Sequence, residues 1–243
     1  MIVEIKRQNS RFGCPQIVAI VLDRTGIKVG EETVRRILAK YFGKPPGNGP
    51  SWLTFLGHQA DSLWSIDLFR VESILLRTHW VLVVMDQFSR KIVGFAACQG
   101  AVTGEALCYM FNRVIEGKHL PTYLSRDNDP LYKFDRWMTN IEMLGIREVR
   151  SIPYSPTSHP FIERAIGTTR REFLDQSLFW NLTDLEQKLK SYQRYYNESR
   201  VHQGIEGVTP ESKYSGLEPL RATPSKMKWR KYCGGLFTVP KAA

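Results

Sequence analysis

Apolar positions follow two different periods along this chain. Up to residue 42 they recur at helical spacing. Pro15 to Arg24 is mostly apolar, Thr25-Gly26 interrupts it, and Val34, Ile37, Leu38 and Tyr41 line one side of a helix over Glu31 to Phe42. The other side of that second helix carries Glu32, Thr33, Arg35, Arg36 and Lys40. Two helices joined by a tight turn predict a helix-turn-helix, whose second helix would offer Thr33, Arg35, Arg36 and Lys40 to a nucleic-acid groove. A plain structural hairpin is the competing reading. The stretch Gly43-Lys-Pro-Pro-Gly-Asn-Gly-Pro50 suits neither helix nor strand and reads as a linker.

Beyond the linker the pattern turns to strands. Leu63 to Phe69, Trp80 to Met85 and Ile92 to Ala97 are apolar, β-branched runs, with a turn at Gln87-Phe-Ser-Arg90, which predicts an antiparallel meander. A helix over Thr103 to Glu116, a strand at Thr122 to Ser125, a helix around Tyr132 to Leu144 and a strand at Arg147 to Ser151 follow. Tyr154 to Ser158 reads as a loop. Pro160 suits the first turn of the next helix, where a missing N–H costs little, and Asp184 to Glu198 is a further amphipathic helix. Strands first and then alternating helix and strand predict an α/β fold, a mixed five-stranded sheet covered by helices. The expected domains are 1–43, a helix-turn-helix segment; 44–57, a linker; 58–217, the α/β core; and 218–243, a basic C-terminal segment with a small β element.

Charge changes the picture once it is located. The net charge is +10, of which residues 1 to 50 carry +5 and residues 219 to 243 carry +6, whereas residues 51 to 218 hold 19 basic and 20 acidic side chains. Basic flanks on a neutral core attract a polyanion through counterion release. Lys226 to Lys231 interleaves Trp229 with basic residues, as nucleic-acid binders do, or forms one strand of a hairpin packed on the core. Four scattered cysteines form no C-x-x-C pair, and no apolar run approaches the roughly 20 residues of a membrane span. A soluble, cytoplasmic, nucleoid-associated protein without membrane contact is expected.

Three carboxylates then stand out. Asp67 interrupts the apolar strand Trp64-Ser-Ile-Asp-Leu-Phe69, Asp127 directly follows a strand in Ser125-Arg-Asp-Asn-Asp-Pro130, and Glu163 opens a helix in His159-Pro-Phe-Ile-Glu-Arg164. A carboxylate inside an apolar strand needs a cation, a hydrogen-bond network or an exposed face. Hard divalent ions such as Mg²⁺ take oxygen ligands and leave positions open for water and phosphate; a pair of them can drive phosphoryl displacement. Asp86 ends a strand before a turn and reads as a turn former. His159, beside Pro160, reads as a bystander to proton transfer.

Those residues carry a resemblance. Thirty-five residues separate Asp127 from Glu163. Asp127-Asn-Asp-Pro130 is similar to a D-N-G-P turn, and Tyr154-Ser-Pro-Thr-Ser-His-Pro-Phe-Ile-Glu-Arg164 to a Y-S-P-x-x-N-G-x-x-E-R pattern. Tyr195-Tyr-Asn-Glu-Ser-Arg-Val-His-Gln-Gly204 and Val208-Thr-Pro-Glu211 resemble an N-x-x-R-x-H then T-P tail, while Arg11-Phe-Gly13 and Thr33 to Leu38 resemble the helix-turn-helix that precedes it. Together they resemble the retroviral-integrase-type catalytic core of bacterial insertion-sequence transposases. The resemblance implies a ribonuclease-H-like fold and a DDE-type polynucleotidyl transferase acting at mobile-element ends. It implies Asp67, Asp127 and Glu163 as the catalytic ligands of two Mg²⁺ (or Mn²⁺) ions. It also implies Arg164, Arg170 and Arg171 as contacts to double-stranded DNA, either element end or target, a close DNA approach at Gly167, and a homo-oligomer on DNA. Asp129 stands where the pattern has Gly and is a reserve ligand; His159-Pro160 replaces Asn-Gly. The zinc-binding His/Cys module of retroviral relatives is missing from the sequence, and further helix is expected upstream of residue 1. The alternatives are a DNA-binding protein that keeps the fold without turnover, and a purely hydrolytic ribonuclease-H-like nuclease.

Overall fold

Period-two burial on both faces of one strand fixes the centre of the larger unit. The computed structural model describes residues 1–8, 14–42, 59–127, 129–150, 160–217 and 227–242. In it the chain forms two compact units, Met1–Trp52 and Leu53–Ala243. Strand β2 (Thr78–Asp86) is buried over nearly its whole length. It lies between β1 (Leu63–Glu72) and β3 (Ile92–Gln99), antiparallel to both. Parallel strands β4 (Tyr123–Arg126) and β5 (Arg147–Arg150) then extend the sheet on the far side of β1, in the order β3-β2-β1-β4-β5. This is the mixed five-stranded, ribonuclease-H-like sheet that the sequence led us to expect.

Alternation along β1 sorts its side chains between two layers. Trp64 and Ile66 pack under helices α4 (Gly104–Ile115) and α5 (Asp135–Met143) with Leu107, Phe111 and Trp137. Phe69 faces the opposite layer, where Val81, Val83 and Met85 meet Ile162 and Ala165 of α6 (Pro160–Glu172) and Leu189 and Tyr192 of α7 (Leu182–Glu198). Helices cover both faces, as a central strand of continuous apolar residues requires. Thr103 caps α4 by accepting the Ala106 N–H at 3.1 Å, and Asn181 caps α7 by accepting the Asp184 N–H at 3.0 Å.

The sheet edge is closed from α7. Buried Asn197 accepts the Ile92 N–H and donates to the Ile92 carbonyl, both at 2.9 Å, so part of edge strand β3 is not left open. Gly94 of β3 sits where α4 crosses, and a Cβ added there would lie 2.8 Å from Val114 Cγ1. Gly94→Ala is therefore expected to cost about 1–3 kcal/mol by overpacking, read as a lower melting temperature.

The rest of the larger unit adds one helix that was not anticipated, the expected C-terminal β element and a break in one helix. A short helix α8 (Pro210–Ser215) follows α7, capped by Thr209 with Pro210 in its first turn. The basic C-terminal segment forms a hairpin of β6 (Met227–Tyr232) and β7 (Phe237–Ala242), whose Tyr232 and Phe237 pack against Tyr195 of α7 while Trp229 stays 71% exposed. The helix around Tyr132 to Leu144 is interrupted, with a 3₁₀ turn over Pro130–Lys133 before α5.

In the smaller unit, α2 (Cys14–Thr25) and α3 (Glu31–Phe42) flank the break at Gly26, preceded by an additional helix α1 (Ile2–Gln8). Its core is Ile17, Val21 and Val34, supported by Ile2, Ile5 and Leu38. Tyr41, read from sequence as part of the packed side, is instead 63% exposed. The linker at 43–50 and the Arg11–Gly13 motif lie outside the described residues.

Candidate active site

Register places the first two carboxylates. β1 and β4 run parallel with Leu63, Trp64 and Ser65 opposite Tyr123, Leu124 and Ser125. Continuing that offset of sixty positions brings Asp127 beside Asp67, just where β4 ends. Carboxyl ends of neighbouring parallel strands are where open α/β sheets hold ligands. Asp67 has the same parity as Phe69, so its side chain stands on the α6 side of the sheet. Glu163 lies in the first turn of α6, where a negative charge complements the helix dipole, and it is exposed, while Ile162, Ala165, Thr168 and Thr169 of that helix are buried.

Electrostatics tie these groups together. Burial pushes the Asp67 carboxyl up to about 7, with further upward contributions from the like charges of Asp127, Glu163 and Asp129, against the lowering effect of the Leu68 amide. That amide donates to Asp67 Oδ1 at 2.7 Å. None of the ion pairs among the described residues involves Asp67, Asp127, Asp129 or Glu163. Among the described residues, no three His, Cys, Asp or Glu side chains are close enough together to hold an ion as they stand. An all-oxygen set with no cationic side chain paired to it among the described residues suits a hard divalent cation.

The flanking groups hold the loop after β4. Asp127 Oδ1 accepts the Asp129 N–H at 3.1 Å, and Asp129 Oδ1 accepts the Leu131 N–H at 2.8 Å, which caps the 3₁₀ turn. Asp129 thus serves the turn in this arrangement. Arg126, 1% exposed, donates from Nε and Nη2 to both oxygens of Glu148 at 3.0 Å and from Nη1 to the Asp127 carbonyl at 3.0 Å. Trp137 Nε1 adds a bond to Glu148 at 2.6 Å. Sequence reading missed this buried pair; its one signal was an arginine between an apolar strand and Asp127. Tyr132 is fully buried beneath the same loop with no partner for its hydroxyl, which burial and then the charges of Asp67, Asp127 and Asp129 hold well above the usual phenol range.

The remaining candidates are scattered more widely. Asp86 sits at the opposite end of the sheet, opposite Trp64, and accepts the Ser89 N–H at 2.8 Å and the Asp61 N–H at 3.1 Å. On α6, Arg164 is exposed, whereas Arg170 donates to the Arg70 carbonyl at 2.8 Å across β1. Gly167 gives room to Arg171, since a Cβ there would lie 3.0 Å from Arg171 Nη1; the space read as an approach for DNA is taken by that guanidinium. On α3, Arg35 pairs with Glu32 at 2.7 Å, Thr33 is half-buried, and Arg36 and Lys40 are exposed. Asn128, His159 and the loop 154–158 lie outside the described residues.

Arg200 clamps α6 to the end of α7, donating from Nε and Nη2 to Glu172 at 2.8 and 2.7 Å. His202 beside it is pushed down to about 4, first by burial and then by Arg200. A histidine whose folded pKa lies below its unfolded value removes stability as pH falls from about 6.5 toward 4, because only the unfolded chain takes the proton. Discounted for the solvent that reaches the ring, the loss is about 1–2 kcal/mol. His202→Gln is expected to lose less stability than wild type between pH 7 and pH 4.5, measured by urea denaturation at each pH.

Known proteins resemble this chain in sequence and in fold. The family profile described as "Integrase core domain" matches residues 144–210. The chain is 24% identical over 147 residues to the insertion element IS476 uncharacterized 39.2 kDa protein of Xanthomonas euvesicatoria, covering 60% of this chain and 42% of that one. It is 22% identical over 231 residues to an Escherichia coli (strain K12) protein named as the transposase InsK for insertion sequence element IS150, covering 86% of this chain and 80% of that one. The fold is also that of a chain in the simian T-cell lymphotropic virus intasome solved with PP2A regulatory subunit B56 gamma, at TM-score 0.53 and 19% identity, over 94% of this chain and 82% of that one. The chain is therefore similar to the integrase core domain over residues 144–210, similar in sequence to bacterial insertion-sequence transposases, and shares its fold with an intasome chain.

Proposed function

We propose that this protein is a DDE-type polynucleotidyl transferase that cleaves and joins DNA at the ends of a mobile element. The supporting observation is the register that sets Asp67, inside β1, beside Asp127 at the end of the parallel strand β4, with the charge of Glu163 bearing on Asp67 and no cationic side chain paired to any of them among the described residues. Asp67, Asp127 and Glu163 would hold two Mg²⁺ or Mn²⁺ ions. Such ions activate an attacking oxygen and stabilise the leaving one. This chain's own residues do the rest. The parallel register sets Asp67 against Asp127, Arg126 holds the Asp127 backbone, and the buried face of α6 fixes the helix on which Glu163 is presented.

DNA would be held by Thr33, Arg35, Arg36 and Lys40 of the helix-turn-helix segment (1–43), by Arg164, Arg170 and Arg171 of the core (58–217), and by the basic segment 218–243. Two ends must be joined in one event, so the working form is a homo-oligomer on DNA, in the cytoplasm at the nucleoid. The test is incubation of the purified chain with labelled duplexes carrying the element's ends, Mg²⁺ and target DNA. Joined products are expected. Nicked DNA alone would leave a hydrolase, and binding without any metal-dependent product would leave a DNA-binding protein without turnover.

A further inference from the structure

A cavity of about 400 Å³ lies between the β2–β3 turn, α6 and the segment after α7. Its charged lining is Arg90, Arg164 and Arg200, with His202 beside them and Phe161 and Tyr196 forming apolar wall; no Asp or Glu among the described residues lines it. The arginines arrive from three elements remote in sequence. Arg90 leaves the turn with φ +63°, lies over the Phe161 ring 3.1 Å from its centre, and donates to the Gln87 carbonyl. Arg164 has no carboxylate partner among the described residues, and Arg200 has one, Glu172. Among the described residues, one ion pair, Arg200 with Glu172, serves the three guanidinium groups. Burial brings Arg90 down to about 10, with Tyr196 and Asp86 acting against the shift and the nearby Arg164 adding to it. His202 supplies a neutral imidazole at the same wall.

We propose that this cavity seats a phosphate of a nucleic-acid backbone, gripped by Arg90, Arg164 and Arg200 with His202 as a hydrogen-bonding partner. It rests on the DNA-acting reading above and adds a place where one strand is held. Planar guanidinium groups match phosphate oxygens, and concave walls focus the field of like charges on whatever enters. Phe161, Arg164, Ala165 and Thr168 form the stripe of α6 that faces the cavity, whereas Glu163 projects from the other side of the same helix.

Removing Arg90 or Arg200 would disturb the turn or the clamp to Glu172, so the test adds charge instead. Gly204 lines the cavity, is exposed, and would meet nothing within 4 Å with a Cβ. Full-length chains carrying Gly204→Glu or Gly204→Gln, each with Asp67→Asn, are titrated against a fluorescent duplex in EDTA over a range of salt. Gly204→Glu is expected to weaken binding about tenfold and to lower the slope of log K against log salt by about 1, as for a lost phosphate contact. Gly204→Gln should stay within about twofold of its Gly204 parent. Equal affinity and slope for the Glu and Gln variants would overturn the proposal, as would equal losses in both, which would report shape and not charge. Inorganic phosphate as a separate probe distinguishes the sources: a thermal shift with phosphate that Gly204→Glu abolishes, alongside unchanged duplex binding, assigns the cavity to a free anion and overturns the nucleic-acid assignment. No metal or turnover enters this measurement, so failure of strand transfer and failure of the phosphate site are read separately.

Discussion

Asp67→Asn is expected to lower metal-dependent strand transfer at least about a thousandfold, the scale of losing a preorganised charge aimed at a reacting phosphoryl group. The same change should make the metal-free protein more stable. Asp67 is a half-buried carboxylate whose one hydrogen bond among the described residues comes from its own neighbour's amide, and it lies under the like charges of Asp127, Glu163 and Asp129. Asn keeps the shape and removes the charge, which is worth about 1–3 kcal/mol for a partly desolvated group without an opposite charge. Opposite signs in activity and stability separate this from ordinary misfolding, which lowers both. The measurements are strand transfer in Mg²⁺ and urea denaturation in EDTA at pH 8. Retained activity would remove Asp67 from the ligand set, and activity lost together with stability would mean that the side chain only supports the strand.

Asp67 also marks how far the sequence could be read. Its strand was legible because apolar and β-branched residues run unbroken on either side of it, and the strand continues to Glu72 only because β2 pairs with it there, Glu72 opposite Thr78. The adjacency of Asp67 and Asp127 is a matter of register between strands sixty residues apart, which no local pattern encodes; only the resemblance pointed to it. Charged residues beyond the carboxylates were read as surface because most are. Arg126 and Glu148 break that rule as a mutually neutralising buried pair, and their separation of 22 residues hides it in the sequence. Arg170 and Arg171 show the reverse. Both are exposed, yet each also meets a neighbour in the fold: Arg170 donates to the Arg70 carbonyl, and Arg171 lies beside Gly167. Helix α1, at seven residues, is too short for periodicity to reveal, and its support comes from packing of Ile2 and Ile5 on the Ile17–Val34 core.

The buried pair sets the second large effect. Glu148→Ala would leave the Arg126 guanidinium without its bidentate acceptor in a site that water does not reach, and would strip Trp137 Nε1 of its partner. Breaking one side of a buried ion pair costs about 3–5 kcal/mol. In a unit of this size that is a melting temperature lower by roughly 10 °C. Removing both charges is different, because two apolar side chains no longer owe desolvation, and the double change Arg126→Met with Glu148→Met is expected to recover most of the stability. Strand transfer should not recover with it. Arg126 Nη1 donates to the Asp127 carbonyl, and Met cannot hold the loop at the end of β4 in that position. A double variant with wild-type stability and wild-type strand transfer would show that the pair serves folding alone. Stability restored while transfer stays low, with a raised requirement for Mg²⁺, would mark Arg126 as the residue that positions Asp127.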